Sequence, residues 1–517
     1  MKLWQPTALA LLVSTSANAA DKTDANKWDV NHPQGVFKTI QINTKTGTWM
    51  NIDVSPDGKN IAFDLLGDIY VMPIQGGTPK RLTADIGWQM QPSFSPDGRY
   101  ITYTSDEGGG DNIWLMNADG SNAHAVTNET FRLLNSPAWS PDGNFIVARK
   151  HFTNTRSLGA GEVWMYHKSG GNGVMLTAKA NDEKDLGEPA FSPDGKYVYF
   201  SQDDTPGKTF HYSKDSEQGI YAIKRFEQET GEIEVLLEGA GGAIRPTPSP
   251  DGKYLAYIRR VDYQTTLFLY DLTSGEHTEL YRGLDRDMQE TWAIHGVYPA
   301  MSFTPDSQQI VFWAGGGIKS LSLKDKSVKD IPFSVKTDKQ IQNAVRVQQD
   351  IDQADVDVKM LRFVQTSPDG NSVVYSALGH LYQVPAKGGK PKRLTSSNDE
   401  FESYPQFSRD GKKLVYVSWH DQRQGRIKVI DLKSGNITEV LAAPGKYLEP
   451  TFSPDGSQIV FRKGGAGDLL DKKWSLNTGI YLMPAQGGEP KLISRNGYNA
   501  HFAERSDRIF AMDYSEQ

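Results

Sequence analysis

Ser55-Pro56-Asp57-Gly58 decides the fold, because it does not occur once. It returns as Ser95-Pro96-Asp97-Gly98, Ser140-Pro141-Asp142-Gly143, Ser192-Pro193-Asp194-Gly195 and Ser249-Pro250-Asp251-Gly252. Thr304-Pro305-Asp306-Ser307 is a worn copy. Ser367-Pro368-Asp369-Gly370, Ser408-Arg409-Asp410-Gly411 and Ser453-Pro454-Asp455-Gly456 follow, and a tenth, degraded copy sits at Ser506-Asp507. Proline presets the first central turn position, aspartate caps locally, and glycine takes the positive φ. Asp57, Asp97, Asp142, Asp194, Asp251, Asp369, Asp410 and Asp455 are therefore structural turn residues.

Each turn sits between two short strands, as in Pro92-Ser93-Phe94 before and Tyr100-Ile101-Thr102-Tyr103 after. A third strand rich in aromatic and branched residues follows, such as Ile113-Trp114-Leu115-Met116. A glycine turn and a fourth strand close the unit. Pro79-Lys80-Arg81-Leu82-Thr83 and Pro391-Lys392-Arg393-Leu394-Thr395 are the same strand twice. The motif aspartates are 40, 45, 52, 57, 55, 63, 41, 45 and 52 residues apart, bracketing the period of a propeller blade. A lone four-stranded sheet cannot bury both faces, whereas sheets stacked about an axis can. The expectation is an all-β chain of four-stranded blades.

These repeats resemble the TolB-type, or WD40-like PD, β-propeller, and nine of the ten copies keep a recognisable motif. Six copies from Asp57 to Asp306 predict a six-bladed ring over residues 36–335, closed by a strand from residues 37–47. Residues 336–360 carry no turn motif and read as a linker. Residues 361–517 predict a partial second propeller of about four blades whose last blade stops after its second strand; residues 355–364 could supply its closing strand. One large ring of about ten blades is the other arrangement the repeats allow.

The chain has 517 residues, 38% hydrophobic and 23% charged, with a net charge of −7. That supports a packed core and excludes a basic nucleic-acid footprint. There is no cysteine, hence no disulfide, thiolate metal site or cysteine nucleophile. Lys2, the apolar stretch Leu3 to Val13 and Ala17-Asn18-Ala19 read as a secretory signal peptide over residues 1–19, cleaved near Ala19, which places the protein in the periplasm or outside the cell. No later run is long and apolar enough to span a membrane.

Catalytic chemistry is sought in vain. None of the ten histidines pairs with another at metal-binding spacing, and Gly-x-Ser-x-Gly does not occur. We therefore expect no catalytic residue, no metal and no cofactor. Asp106, Glu107, Asp111 and Asp203-Asp204 read as solvated acidic loops. Binding belongs on the loops that converge at a propeller's channel. Candidates there are Trp88, Arg132, Asn135, Trp292 and His295. The residue six before each motif aspartate forms a column, namely Asn51, Gln91, Ser136, Glu188, Arg245 and Ala300. Five of the six are polar, which predicts a column facing a wet channel, with Glu188 and Arg245 able to pair.

The resemblance implies a binding or gating module that takes a protein or peptide partner, or serves a fused or adjacent hydrolase domain. Tandem TolB-like propellers after a signal peptide are similar to those preceding amidohydrolase domains. A stand-alone periplasmic scaffold is one alternative, although TolB proper carries an α/β domain before its propeller. The substrate-filtering propeller of a tricorn- or prolyl-oligopeptidase-type peptidase is another. Any hydrolase activity would need residues outside this chain.

Overall fold

The computed structural model of the chain describes residues 29–130, 133–153, 159–210, 219–344, 347, 349–465 and 476–513. The expected signal peptide and Arg132 lie outside these residues. Among the described residues all regular structure is strand; there is no helix.

Each motif turn is built as its residues require. Ser55 Oγ donates to Asp57 Oδ1 at 2.7 Å, and the same carboxylate oxygen accepts the Lys59 N–H at 3.0 Å. Ser55 Oγ in turn accepts the Asn60 N–H at 2.9 Å, while Gly58 sits at φ 69°. The serine–aspartate bond recurs at Asp97, Asp142, Asp194, Asp251, Asp369, Asp410 and Asp455. The serine hydroxyl is the main reason the Asp97 and Asp369 carboxyls are held at about 2.

The first sheet comprises Ile52–Val54, Asn60–Leu65, Asp68–Pro73 and Lys80–Arg81, paired antiparallel in chain order. Eight more sheets repeat this order over residues 89–125, 133–177, 186–237, 244–281, 302–331, 362–393, 401–441 and 446–494. We number them two to nine. A hairpin, Tyr498–Phe502 with Ile509–Met512, comes last.

The sheets are glued face to face. Ile69, Ile101 and Tyr103 lie between sheets one and two, Val163 and Phe200 between three and four, and Leu381 and Tyr416 between seven and eight. The largest core joins sheet six to both neighbours: Phe312 and Trp313 share it with Ile258 and Leu267 of sheet five and with Phe63 and Tyr70 of sheet one. Burying such a phenylalanine is worth about 1.5–3 kcal/mol. Sheets one and six are also bonded directly, Ile52 N–H to the Ala300 carbonyl at 3.0 Å.

Phe37–Thr44 does not complete sheet six, which already takes four strands from residues 302–331. It pairs instead with Val335–Gln342, in a separate antiparallel ribbon. Most of that partner strand falls within the stretch read as a linker. The ribbon is tied to sheet one: Lys339 Nζ lies 2.6 Å from Asp68 Oδ2, and Arg81 Nη1 donates to Thr337 Oγ1 at 2.9 Å; just before it, the Pro332 carbonyl accepts the Gly77 N–H at 2.9 Å. Likewise Arg362–Thr366 closes nothing; it is the first strand of sheet seven.

Candidate binding site where the first strands converge

Gln91, Ser136, Glu188 and Arg245 hold left-handed φ values of 57°, 55°, 57° and 55°. Each precedes a proline, and at each the strand register breaks. A bulge of this kind takes one main-chain N–H out of the ladder, and a buried N–H needs an acceptor. The preceding sheet supplies it. Asp64 Oδ2 accepts the Gln91 N–H, Gln91 Oε1 accepts that of Ser136, and Glu188 Oε2 accepts that of Arg245, each at 2.7 Å. Asn51 Oδ1 accepts the Ala300 N–H at 2.9 Å, and Asn51 itself donates to Asp64 from its amide at 2.7 Å.

The column residues line a cavity, the five polar ones with almost all of their surface buried in its wall. Asn51, Gln91, Ser136, Glu188 and Arg245 are all under a tenth exposed. Asn51, Gln91, Glu188 and Arg245 each also satisfy a main-chain group across a seam, whereas the Ser136 hydroxyl bonds the side chains of Gln91 and Asn135. Glu188 and Arg245 do pair, at 3.2 Å. Burial pushes the Asp64 carboxyl up to about 6 despite its three donors.

A second layer, two residues further along each strand, lines the same cavity. Asp53, Ser93, Ala138, Ala190, Thr247 and Ser302 are all small and all partly exposed, and the cavity is about 210 Å³. Asp53 is the charged member of this layer. It accepts the Phe94 N–H at 2.7 Å, and burial pushes it up to about 6.

Residues 285–298 cross the other end of the column. They start from a buried ion pair of Arg260 in sheet five with Asp287, at 2.7 Å, and with Glu290. Trp292 then packs on His151 of sheet three, with ring centroids 5.3 Å apart. His295 Nε2 lies 2.7 Å from Asp111 Oδ2, and its carbonyl accepts from Gln91 Nε2 at 2.7 Å. Val297 N–H donates to Glu188 Oε1 at 2.7 Å, and Arg245 Nη2 donates to the Tyr298 carbonyl. The segment thus touches four sheets and stands across the mouth. Burial, followed by Arg149 and His295, holds the His151 imidazole down at about 3, so it is neutral.

The predicted residues therefore divide. Asn51, Gln91, Glu188 and Arg245 form the seam, and Trp292 and His295 belong to the crossing segment. Trp88 is half exposed at the same mouth, its N–H donating to Asp106 Oδ1 at 2.7 Å. Asn135 is not a binding-loop residue: Leu133–Trp139 is a strand, and Asn135 is fully buried in it. The acidic loops are occupied by protein, with Glu107 accepting from Asn31 Nδ2 and Asp204 paired with Lys224. Among the described residues no group of three or more potential metal ligands gathers. Sequence reasoning missed Asp53, Asp64 and the small-residue layer. The signal was there, since that layer lies four residues before every motif aspartate.

Comparison with known proteins agrees with the repeats. Residues 37–217 match the family described as the TolB beta propeller domain (PD40). An uncharacterized protein of Agrobacterium fabrum is 33% identical over 149 residues, covering 27% of this chain and 50% of the relative. The uncharacterized peptidase YuxL of Bacillus subtilis is 27% identical over 351 residues, covering 60% of this chain and 49% of the relative. The chain thus spans about half the length of these curated relatives. Among solved structures, TolB from Acinetobacter baumannii aligns with a TM-score of 0.41 at 18% identity, covering 55% of this chain and 63% of that one. Turn motif and four-stranded sheets along the chain, with the match over residues 37–217, show an all-β repeat protein whose blades are similar to those of the TolB β-propeller.

Proposed function

We propose that the chain is a non-catalytic binding and gating module. In this reading the first six sheets close one ring, and its lumen admits a protein or peptide segment from the face opposite residues 285–298. The single observation that carries it is the lumen itself: six small, partly exposed side chains around a cavity of about 210 Å³, with a segment across one end. The core and hydrogen bonds joining sheet six to sheet one support closure. Sheets seven to nine and the final hairpin we assign to a second propeller unit. We place the module in an exported protein, serving an adjoining hydrolase domain of the amidohydrolase type. A peptidase setting is the second reading, favoured by the relative YuxL, which is named a peptidase.

The test uses a fluorescein-labelled tryptic digest of casein and the purified chain. Binding is read by anisotropy and cleavage by chromatography. We expect binding without cleavage, weakened at least tenfold by Ser302→Trp, which fills the lumen. Cleavage products, or binding unchanged by Ser302→Trp, would overturn the proposal.

A further inference from the structure

Residues 287–298 form a loop whose two ends are pinned and whose tip is not. Asp287, Gln289, Glu290, Val297 and Tyr298 are each under 5% exposed. To the Arg260 and Glu188 contacts of these ends the loop adds a bond across its own base, from the Met288 N–H to the Val297 carbonyl at 2.9 Å. Gln289 Nε2 donates to the Gly241 carbonyl at 3.2 Å. A loop closed in this way is a compact unit on a fixed stem. The tip, Thr291 to Gly296, differs. Its first five residues are at least partly exposed. Among the described residues its only hydrogen bonds to a sheet are the two of His295, with Asp111 and from Gln91. Thr291 and Gly296 bond within the loop, to Met288 and Ala293.

The surface under the tip is a poor seat for it. Trp292 packs on His151, yet its Nε1–H has no acceptor among the described residues. Arg149 Nη2 donates to His151 Nδ1 at 3.0 Å, so the neutral ring carries its proton on Nε2, and that N–H lacks an acceptor too. Arg149 Nη1 and Asn135 Nδ2 complete the group. Arg149 lies two residues from His151 on the same face of its strand, and Asn135 stands opposite Arg149 in register. Asn135, Arg149 and His151 are each 2% exposed or less, and all four nitrogens are sealed from solvent. A sealed donor without an acceptor costs free energy that contact with water would return. Packing of Trp292 therefore holds the tip down against four donors that favour its release.

The tip also roofs a space. Ala293, Ile294 and His295 line about 390 Å³ together with Trp49 and Trp88, and Asn51 is in the wall of both this cavity and that of the column. Gly296 ends the tip at φ 104°, where a Cβ would fall 2.5 Å from Arg245 Nη2. Only glycine fits such a corner without strain.

We propose that residues 291–296 are a hinged flap, which lifts from sheets two and three while its base stays pinned, admits water to the four donors and opens the cavity beneath. The lift breaks two hydrogen bonds and one ring contact, so it is a local event and not unfolding. It deepens the gating reading above by giving the gate its moving part, but it needs no ligand and is measured without one.

The test is carbethoxylation of His151 by diethyl pyrocarbonate on the folded chain at pH 7, read by mass spectrometry. Exposed His124 supplies the unprotected rate, and hydrogen exchange of the Val147 and Val163 amides in sheet three supplies the protection against global opening. We expect His151 to be protected at least tenfold less than those amides. His295→Ala, which cuts the tie to Asp111, should lower His151 protection at least threefold further and leave the amides unchanged. Trp292→Phe keeps a ring on His151 and removes one donor, so protection should hold or rise. His151 protected as strongly as the sheet amides would overturn the proposal. So would an unchanged His295→Ala chain, or a fall in protection with Trp292→Phe, which would mark ordinary packing. No peptide enters these measurements, so the flap and the casein test fail separately.

Discussion

Replacing Glu188 by alanine would cut the joint between sheet four, sheet five and the crossing segment at once. Glu188 Oε2 accepts the Arg245 N–H and the Ser201 hydroxyl, both at 2.7 Å. Its Oε1 accepts the Val297 N–H at 2.7 Å and lies 3.2 Å from Arg245 Nη2. The carboxylate side chain is 1% exposed. Its removal leaves a buried guanidinium without its charge partner, which costs about 3–5 kcal/mol. It also leaves the Val297 and Tyr298 main-chain N–H groups without their acceptor, at about 1–3 kcal/mol each before relaxation, while the Arg245 N–H keeps the Ser201 hydroxyl at 3.0 Å. These terms overlap, so we expect a net loss of about 5 kcal/mol. Glu188→Gln keeps one acceptor and the shape but loses the charge, and should cost about half as much. Urea unfolding at pH 7, followed by tryptophan fluorescence, measures both; the midpoint should fall at unchanged slope. The crossing segment carries its own reporter, because the Arg286 side chain is 63% exposed and open to trypsin. Cleavage there should accelerate in the alanine variant. A loss below about 1 kcal/mol would refute the reasoning, since it would mean that the desolvation of this carboxylate cancels every bond it makes.

Three further outcomes follow from the same structure. Asp53 and Asp64 sit at about 6 against an ordinary 3.8, so the fold holds more protons than the unfolded chain between pH 4 and 6. Stability should therefore fall as pH rises through that window and level off above it; Asp53→Asn should flatten the decline in urea midpoints taken at about pH 4.5, 5.5 and 6.5. Gly252 has φ 72° and nothing within 4 Å of an added Cβ, so Gly252→Ala should cost about 1 kcal/mol of pure backbone strain, whereas Gly108→Ala, with open space and no positive φ, should stay within about 0.5 kcal/mol in the same melts. His295→Ala removes a part-exposed contact to Asp111 and should speed trypsin cleavage at Arg286 several-fold while changing global stability by no more than about 1 kcal/mol.

The blades were legible because their instructions are local. Ser-Pro-Asp-Gly carries its own proline, cap and positive-φ glycine, so a turn forms wherever it occurs, and the strands flanking it pair with near neighbours in sequence. The polar column was legible as a column, but its bonds across the seams were not. Polarity alone does not say whether a side chain meets water or a main-chain N–H. The discriminating signal was the proline after Gln91, Ser136, Glu188 and Arg245, which marks a bulge and hence an N–H in need of an acceptor. The path of residues 285–298 and the pairing of Phe37–Thr44 with Val335–Gln342 were beyond reach. Both depend largely on partners more than a hundred positions away, for which the local pattern carries no address.

The ribbon has a mechanical consequence. Its register runs from Phe37 opposite Gln342 to Thr44 opposite Val335, so the chain arrives and departs at the same end of one ladder. Tension applied between those two points loads a single rung, then the next, peeling the strands apart instead of shearing them. Pull is passed to the first sheet through the Lys339–Asp68 and Arg81–Thr337 contacts, which must break before the rung at Thr44 and Val335 parts. The ribbon would thus give way as a sacrificial zip, lengthening the tether under modest strain while the blades behind it stay whole.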